Sequence, residues 1–162
     1  MMDRAAFIGR YAGIYEHSPW VAEKAAQRID EWDDPAHIAA VMAEQVDAAP
    51  RERQLELIRA HPDLAGQAQR AGDLTTASTH EQASAGLDHC TDAEYERFQS
   101  LNTAYRDKFG FPFVMAVRGS SRADILAAFE TRLQNDPQVE FEAALAEIHK
   151  IAWLRITALE GE

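Results

Sequence analysis

Cysteine is nearly missing from these 162 residues: Cys90 is the only one. No intrachain disulfide can form and no multi-cysteine metal site exists, which suits a reducing compartment. Positive charge is scarce. Lys and Arg number 16 against 27 Asp and Glu, a formal net charge of −11. Phosphate backbones and anionic lipid need a concentrated basic surface, so neither nucleic acid nor a membrane is expected as the main partner. No run approaches the ~20 apolar residues of a membrane span. The first ten residues lack the apolar core of a secretory signal, and the last three are not a peroxisomal-type tripeptide. A cytoplasmic protein is the resulting expectation. Gly-rich phosphate loops are absent too. His80-Glu81-Gln82-Ala83-Ser84 begins like the zinc-protease helix but has Ser84 where the second histidine belongs. His89 and Cys90 are neighbours whose side chains diverge on a helix, so no metal and no cofactor are expected.

What the chain does have is helix punctuation. Ser18-Pro19 reads as the opening of a helix through Trp32, and Asp34-Pro35 repeats the device. Ala49-Pro50 supplies the proline without a good cap. Thr91 with Glu94 forms a capping-box pattern ahead of Tyr95, Phe98, Leu101 and Tyr105, which share a helical face. Ser121 precedes Ile125, Leu126 and Phe129. Asp136-Pro137 starts a last long helix with Phe141, Leu145, Ile148, Ala152 and Leu159 near one stripe. Alternating β-branched runs are almost missing; Phe113 to Val117 alone resembles a strand, and one strand makes no sheet. The expectation is an all-α protein of about seven to eight helices in a single domain over residues 1–162.

Two stretches interrupt the helical rhythm, and irregular segments on a helical scaffold tend to carry binding groups. The first is His61-Pro62-Asp63-Leu64-Ala65-Gly66 with the polar segment after it. His61 precedes a proline, so its backbone is biased toward extended as the preceding helix ends. An imidazole there suits either proton transfer near neutral pH or simple satisfaction of helix-end carbonyls. Ser78-Thr79-His80-Glu81-Gln82 reads as a further helix start capped by Ser78. It is either only that, or a set of amide donors, a carboxylate and a two-way amide suited to urea-like groups. The second stretch, Phe109 to Gly119, holds three phenylalanines, two glycines and a proline, with Lys108 just before it and Arg118 near its end. A core crossing and a water-excluding wall both fit it.

Together these pieces resemble one family, 2-oxo-4-hydroxy-4-carboxy-5-ureidoimidazoline (OHCU) decarboxylase. The matching segments are Glu16-His17-Ser18-Pro19-Trp20, His61 to Gly66, Ser78 to Gln82 with Ala85-Gly86-Leu87, and Leu101-Asn102 with Ala104-Tyr105 leading into Lys108-Phe109-Gly110-Phe111-Pro112-Phe113. The resemblance implies an all-α, cofactor-independent, commonly homodimeric enzyme of urate breakdown, of the bacterial cytosolic type, that forms (S)-allantoin from OHCU. It makes His61 the catalytic acid, with Glu81 orienting it or the ureido groups. It places Pro62, Ser78, Thr79, His80, Glu81, Gln82, Phe113, Val114, Met115, Ala116 and Val117 around the substrate, and Arg155 in contact with it. Functional coupling to hydroxyisourate hydrolase, which supplies the unstable substrate, is a further expectation. Two other readings compete with it: a non-catalytic helical module that binds a ureide or purine-like ligand, or a domain that docks onto another ureide-pathway enzyme.

Overall fold

The computed structural model describes residues 3–29, 34–66 and 72–160. Among them are eight α-helices: α1 (Arg4–Tyr11), α2 (Trp20–Ala26), α3 (Pro35–Asp47), α4 (Arg51–Arg59), α5 (Thr76–Ser84), α6 (Asp92–Phe109), α7 (Arg122–Leu133) and α8 (Pro137–Glu160). A 3-10 turn at Leu87–His89 joins α5 to α6. The described residues include no strand, as expected. None of the helices is long and apolar enough to cross a membrane.

Most starts follow from side chains that meet the orphan amides of a first turn. Asp34 Oδ1 accepts from the Ala36 N–H at 3.0 Å. Thr91 and Glu94 close a reciprocal capping box, and Ser121 and Asp124 close another. The Ser18-Pro19 start differs in detail. Pro19 takes the cap position without a side-chain bond, while the Ser18 hydroxyl donates back to the Glu16 carbonyl at 2.9 Å. That helix ends at Ala26, and Trp32 lies outside the described residues.

Two compact units divide the chain: Met1–Ala60 with Ile148–Glu162, and His61–Glu147. In the first, α1 packs on α2 and α2 on α3, burying Phe7, Tyr11, Val21, Ala22, Ile38 and Met42. Glu16 and Arg155, both buried, form an ion pair at 2.9 Å. Tyr15 bonds through its hydroxyl to His149 Nδ1 at 2.8 Å, and His149 Nε2 meets Asp47 Oδ1 at 3.0 Å. Burial, and then the Asp47 charge, push the Tyr15 phenol above its usual range.

In the second unit α6 packs on α7, and Phe98, Leu101, Tyr105, Ile125 and Phe129 form the core. The α8 stripe is wider than the expected one. Phe141, Ile148 and Ala152 are buried and Leu145 and Leu159 half-buried, but Ala144, Ile151 and Ile156 are buried as well. Glu140 and Arg155 also lie inside, each with an oppositely charged partner.

Candidate active site

His61 comes two positions after the last residue of α4 and is 6% exposed. Its loop is compact and strained. Ala65 has φ of +51°, which L-residues other than Asn and Asp seldom adopt. Gly66 has no room for a side chain, since a Cβ there would lie 2.8 Å from that of Asp63.

Side chains from two helices hold this backbone. Gln82 of α5, itself 2% exposed, uses both ends of its amide. Its Oε1 accepts the Ala65 N–H at 3.0 Å, and its Nε2 donates to the Asp63 carbonyl at 3.2 Å. From α6, Gln99 donates to the Ala65 carbonyl at 2.8 Å and Asn102 to the Leu64 carbonyl at 3.1 Å. Arg106 pairs with the Asp63 carboxylate at 2.9 Å. Buried main-chain polar groups need partners, and here neutral amides supply them. Gln99 and Arg106 are not singled out by the sequence, and Asn102 enters there only as part of a matching segment, with no role given to it. The available signal was Asn102, a polar residue within the apolar stripe of Phe98, Leu101 and Tyr105.

The helix carrying Ser78 to Gln82 starts earlier than expected. Thr75 is the cap, extended at φ −60° and ψ 159°, and its Oγ1 accepts from the Ser78 N–H at 3.2 Å. Ser78 therefore lies in the first turn rather than before it. The Thr79 N–H is used by the Thr75 carbonyl at 2.9 Å, so this segment does not present the free amide donors anticipated. Ser78 and Gln82 are buried one turn apart, Glu81 is half-buried beside them, and Thr79 and His80 face solvent. The described residues contain no group of three His, Cys, Asp or Glu able to hold a metal ion.

The second irregular stretch runs through the same unit without regular secondary structure from residue 111 to 120. Phe113 stacks on Phe129 with centroids 4.0 Å apart, and Tyr105 meets Phe113 edge-on at 5.4 Å. Arg132 lies over the Phe113 ring at 4.5 Å and donates to the Val114 carbonyl at 2.6 Å. Its Nε pairs with Glu140 at 2.8 Å. Glu140, fully buried, also accepts from the Tyr105 hydroxyl at 2.7 Å and the Asn135 amide at 2.9 Å. Burial and the Glu140 bond raise the Tyr105 phenol well above its ordinary value. Glu147 accepts the Ala116 N–H at 3.3 Å. Of the flanking cations, Lys108 caps α7 through the Leu133 carbonyl at 2.7 Å, and Arg118 is exposed.

Of the other expected residues, Pro62 is half-buried; Phe113, Val114 and Val117 are buried, and Met115 and Ala116 half-buried. Arg155 belongs to the first unit, where Glu16 and the carbonyls of Gly13 and Ile14 hold its guanidinium. Within the second unit, then, a buried imidazole sits on a braced loop that is tied to the helix carrying Glu81.

The model of the family described as OHCU decarboxylase matches residues 1–157, across both units. The 2-oxo-4-hydroxy-4-carboxy-5-ureidoimidazoline decarboxylase of Haloferax volcanii is 44% identical, over 96% of this chain and 89% of its own length. The uric acid degradation bifunctional protein PucL of Bacillus subtilis is 39% identical over 99% of this chain, which corresponds to 32% of that longer protein. The crystal structure of an (S)-allantoin synthase superposes with a TM-score of 0.76 at 38% identity, over 96% of this chain and 50% of the other.

Proposed function

This chain belongs to the OHCU decarboxylase family, and from that premise we propose that it is a carboxy-lyase converting 2-oxo-4-hydroxy-4-carboxy-5-ureidoimidazoline to (S)-allantoin, with His61 as the proton donor. In this reaction the bond between the hydroxyl-bearing ring carbon and its carboxylate breaks and CO2 leaves; the electron pair forms a C=C bond to the neighbouring ureido-bearing carbon while the C=N electrons move onto nitrogen, which takes up a proton. A further proton then reaches the ureido-bearing carbon from one face, and the hydroxyl proton is lost as its carbon becomes the ring carbonyl. The substrate holds its own electron sink, so the chemistry calls for no organic cofactor. The protein must hold the ring, stabilise charge moving onto it, and deliver that proton.

The observation that carries the reading is a buried His61 at the start of a loop in which the main chain of Asp63, Leu64 and Ala65 is held by side-chain amides. General acid catalysis of this kind contributes about 10²–10⁴-fold. Glu81 orients His61 or the ureido N–H groups, and a nearby carboxylate favours the imidazolium form. Pro62, Ser78 to Gln82 and Phe113 to Val117 complete the substrate surroundings. The apolar Phe113–Val117 wall suits a carboxylate about to lose its charge, where a strong ion pair would stabilise the ground state more than the transition state. Arg155 carries over as a substrate contact at ring or ureido oxygens. The Bacillus bifunctional relative supports work alongside another enzyme of uric acid degradation, with hydroxyisourate hydrolase as the supplier. A homodimer is part of the same reading.

The test generates the substrate in place from urate with urate oxidase and the hydrolase, then follows circular dichroism as allantoin forms. Wild type should give a rapid (S)-allantoin signal. His61→Asn should lower kcat by about 10²–10⁴-fold while KM changes far less. Equal rates for the two proteins would remove His61 from the mechanism. A slow racemic product with wild type would leave a ligand-binding domain instead.

A further inference from the structure

Gln99, Asn102 and Arg106 are spaced three and four apart on α6, so they lie on one helical face. They meet the loop in reverse order: Gln99 the Ala65 carbonyl, Asn102 the Leu64 carbonyl, Arg106 the Asp63 carboxylate. Three consecutive loop residues are thus read by one helix stripe, immediately downstream of His61-Pro62. Gln82 grips the same loop from α5.

We infer that this stripe is a positioning device for His61, with Asn102 at its centre. The inference rests on His61 being the proton donor.

Two features separate positioning from ordinary packing. Asn102 is 3% exposed, and its Oδ1 is buried with no hydrogen-bond partner among the described residues. A leucine of the same shape would avoid that unsatisfied acceptor beside Phe98, Leu101 and Tyr105. Asparagine is the costlier residue for the core, and its return is the bond to the Leu64 carbonyl. The second feature is the strained Ala65, held at both its N–H and its C=O. A loop kept in a sparsely populated conformation by bonds on every side has one position, and a proton donor anchored to it has one direction. A displacement of about 1 Å at a reacting group can cost on the order of 10²-fold in rate.

The test compares Asn102→Leu, Gln99→Leu and their double variant with Gln54→Leu. Gln54 makes the same type of bond, to the Val46 carbonyl at 2.9 Å, in the first unit. Readouts are kcat and KM on substrate generated in place, the melting temperature, and the NMR titration of the His61 imidazole. Asn102→Leu should lower kcat about 10–100-fold, keep KM within about threefold, and move the His61 titration midpoint. Gln54→Leu should shift the melting temperature alone. Folded Asn102→Leu and Gln99→Leu with wild-type kcat and an unmoved His61 midpoint would overturn the inference. If Asn102→Leu does not fold, Gln99→Leu decides alone, because its side chain is only half-buried. If wild type fails to decarboxylate OHCU, the proposed function falls, and the His61 midpoint still tests the stripe.

Discussion

Two irregular stretches of the second unit, residues 61–66 and 111–117, solve the same problem with opposite chemistry. Both are largely buried chain without regular structure, so both need partners for main-chain polar groups. The first gets them from neutral amides, Gln82, Gln99 and Asn102, each bonding a single loop residue or two. The second is packed by rings and gripped by one cation: Arg132 covers Phe113, bonds the Val114 carbonyl, and is neutralised by the fully buried Glu140. The main chain of the first stretch is met by neutral amides, and its ion pair, Arg106 with Asp63, joins side chains on the more exposed side of the loop. An ion pair can hold an apolar wall because its charges are spent on each other. In the second stretch the charged side chain itself bonds the main chain.

This contrast predicts a large difference in how the two stretches fail. Glu140→Ala removes the acceptor for Arg132, Tyr105 and Asn135 together and leaves a buried guanidinium uncompensated. Breaking such a pair costs about 3–5 kcal/mol, readable as a lower denaturation midpoint in urea. Replacing both charges, as Arg132→Met with Glu140→Leu, should recover much of that loss, because apolar substitutes for a whole pair are often neutral. The double variant still lacks the bond to Val114, so the wall is restored in stability but not in position. If Glu140→Ala unfolds no more easily than wild type, charge does not hold the second stretch. Gln82→Leu should be milder, about 1–3 kcal/mol, since it strands the buried Ala65 N–H and one carbonyl of a half-buried residue. A loss as large as that of Glu140→Ala would erase the distinction.

Legibility in sequence follows the range of the interaction. The starts at Asp34, Thr91 and Ser121 depend on residues within about four positions, and they are where the capping rules put them. The start near Ser78 was misplaced because Thr75, Thr76, Ser78 and Thr79 are all short hydroxyl residues; local pattern does not choose among them, and backbone geometry selects Thr75. In the sequence, nothing distinguishes Glu140 from any other acid in a first helical turn. Its burial depends on Tyr105, Arg132 and Asn135 converging on it from up to 35 positions away. His61 was legible through the motif around it, but the amides that brace its loop come from 17 to 38 positions downstream. The all-α class needed only local signals and was readable in full.

The smallest expected effect sharpens the comparison most. Ala65→Gly relieves about 1–2 kcal/mol of left-handed strain. Against this stand about 0.4–1 kcal/mol from the freer unfolded chain and about 0.8 kcal/mol for the lost buried methyl. The net should fall within about 1 kcal/mol of wild type by denaturant melt. The informative number is the coupling to Gln82→Leu, obtained from a double-mutant cycle. If the side-chain amides hold Ala65 at positive φ, removing Gln82 lets the residue relax, and glycine then has no strain left to relieve. Ala65→Gly should accordingly become destabilising in the Gln82→Leu background, with only the entropy and methyl costs remaining. An identical effect in both backgrounds would mean that the loop takes its shape from its own packing, and the opposition between amide-held and charge-held segments would no longer describe this protein.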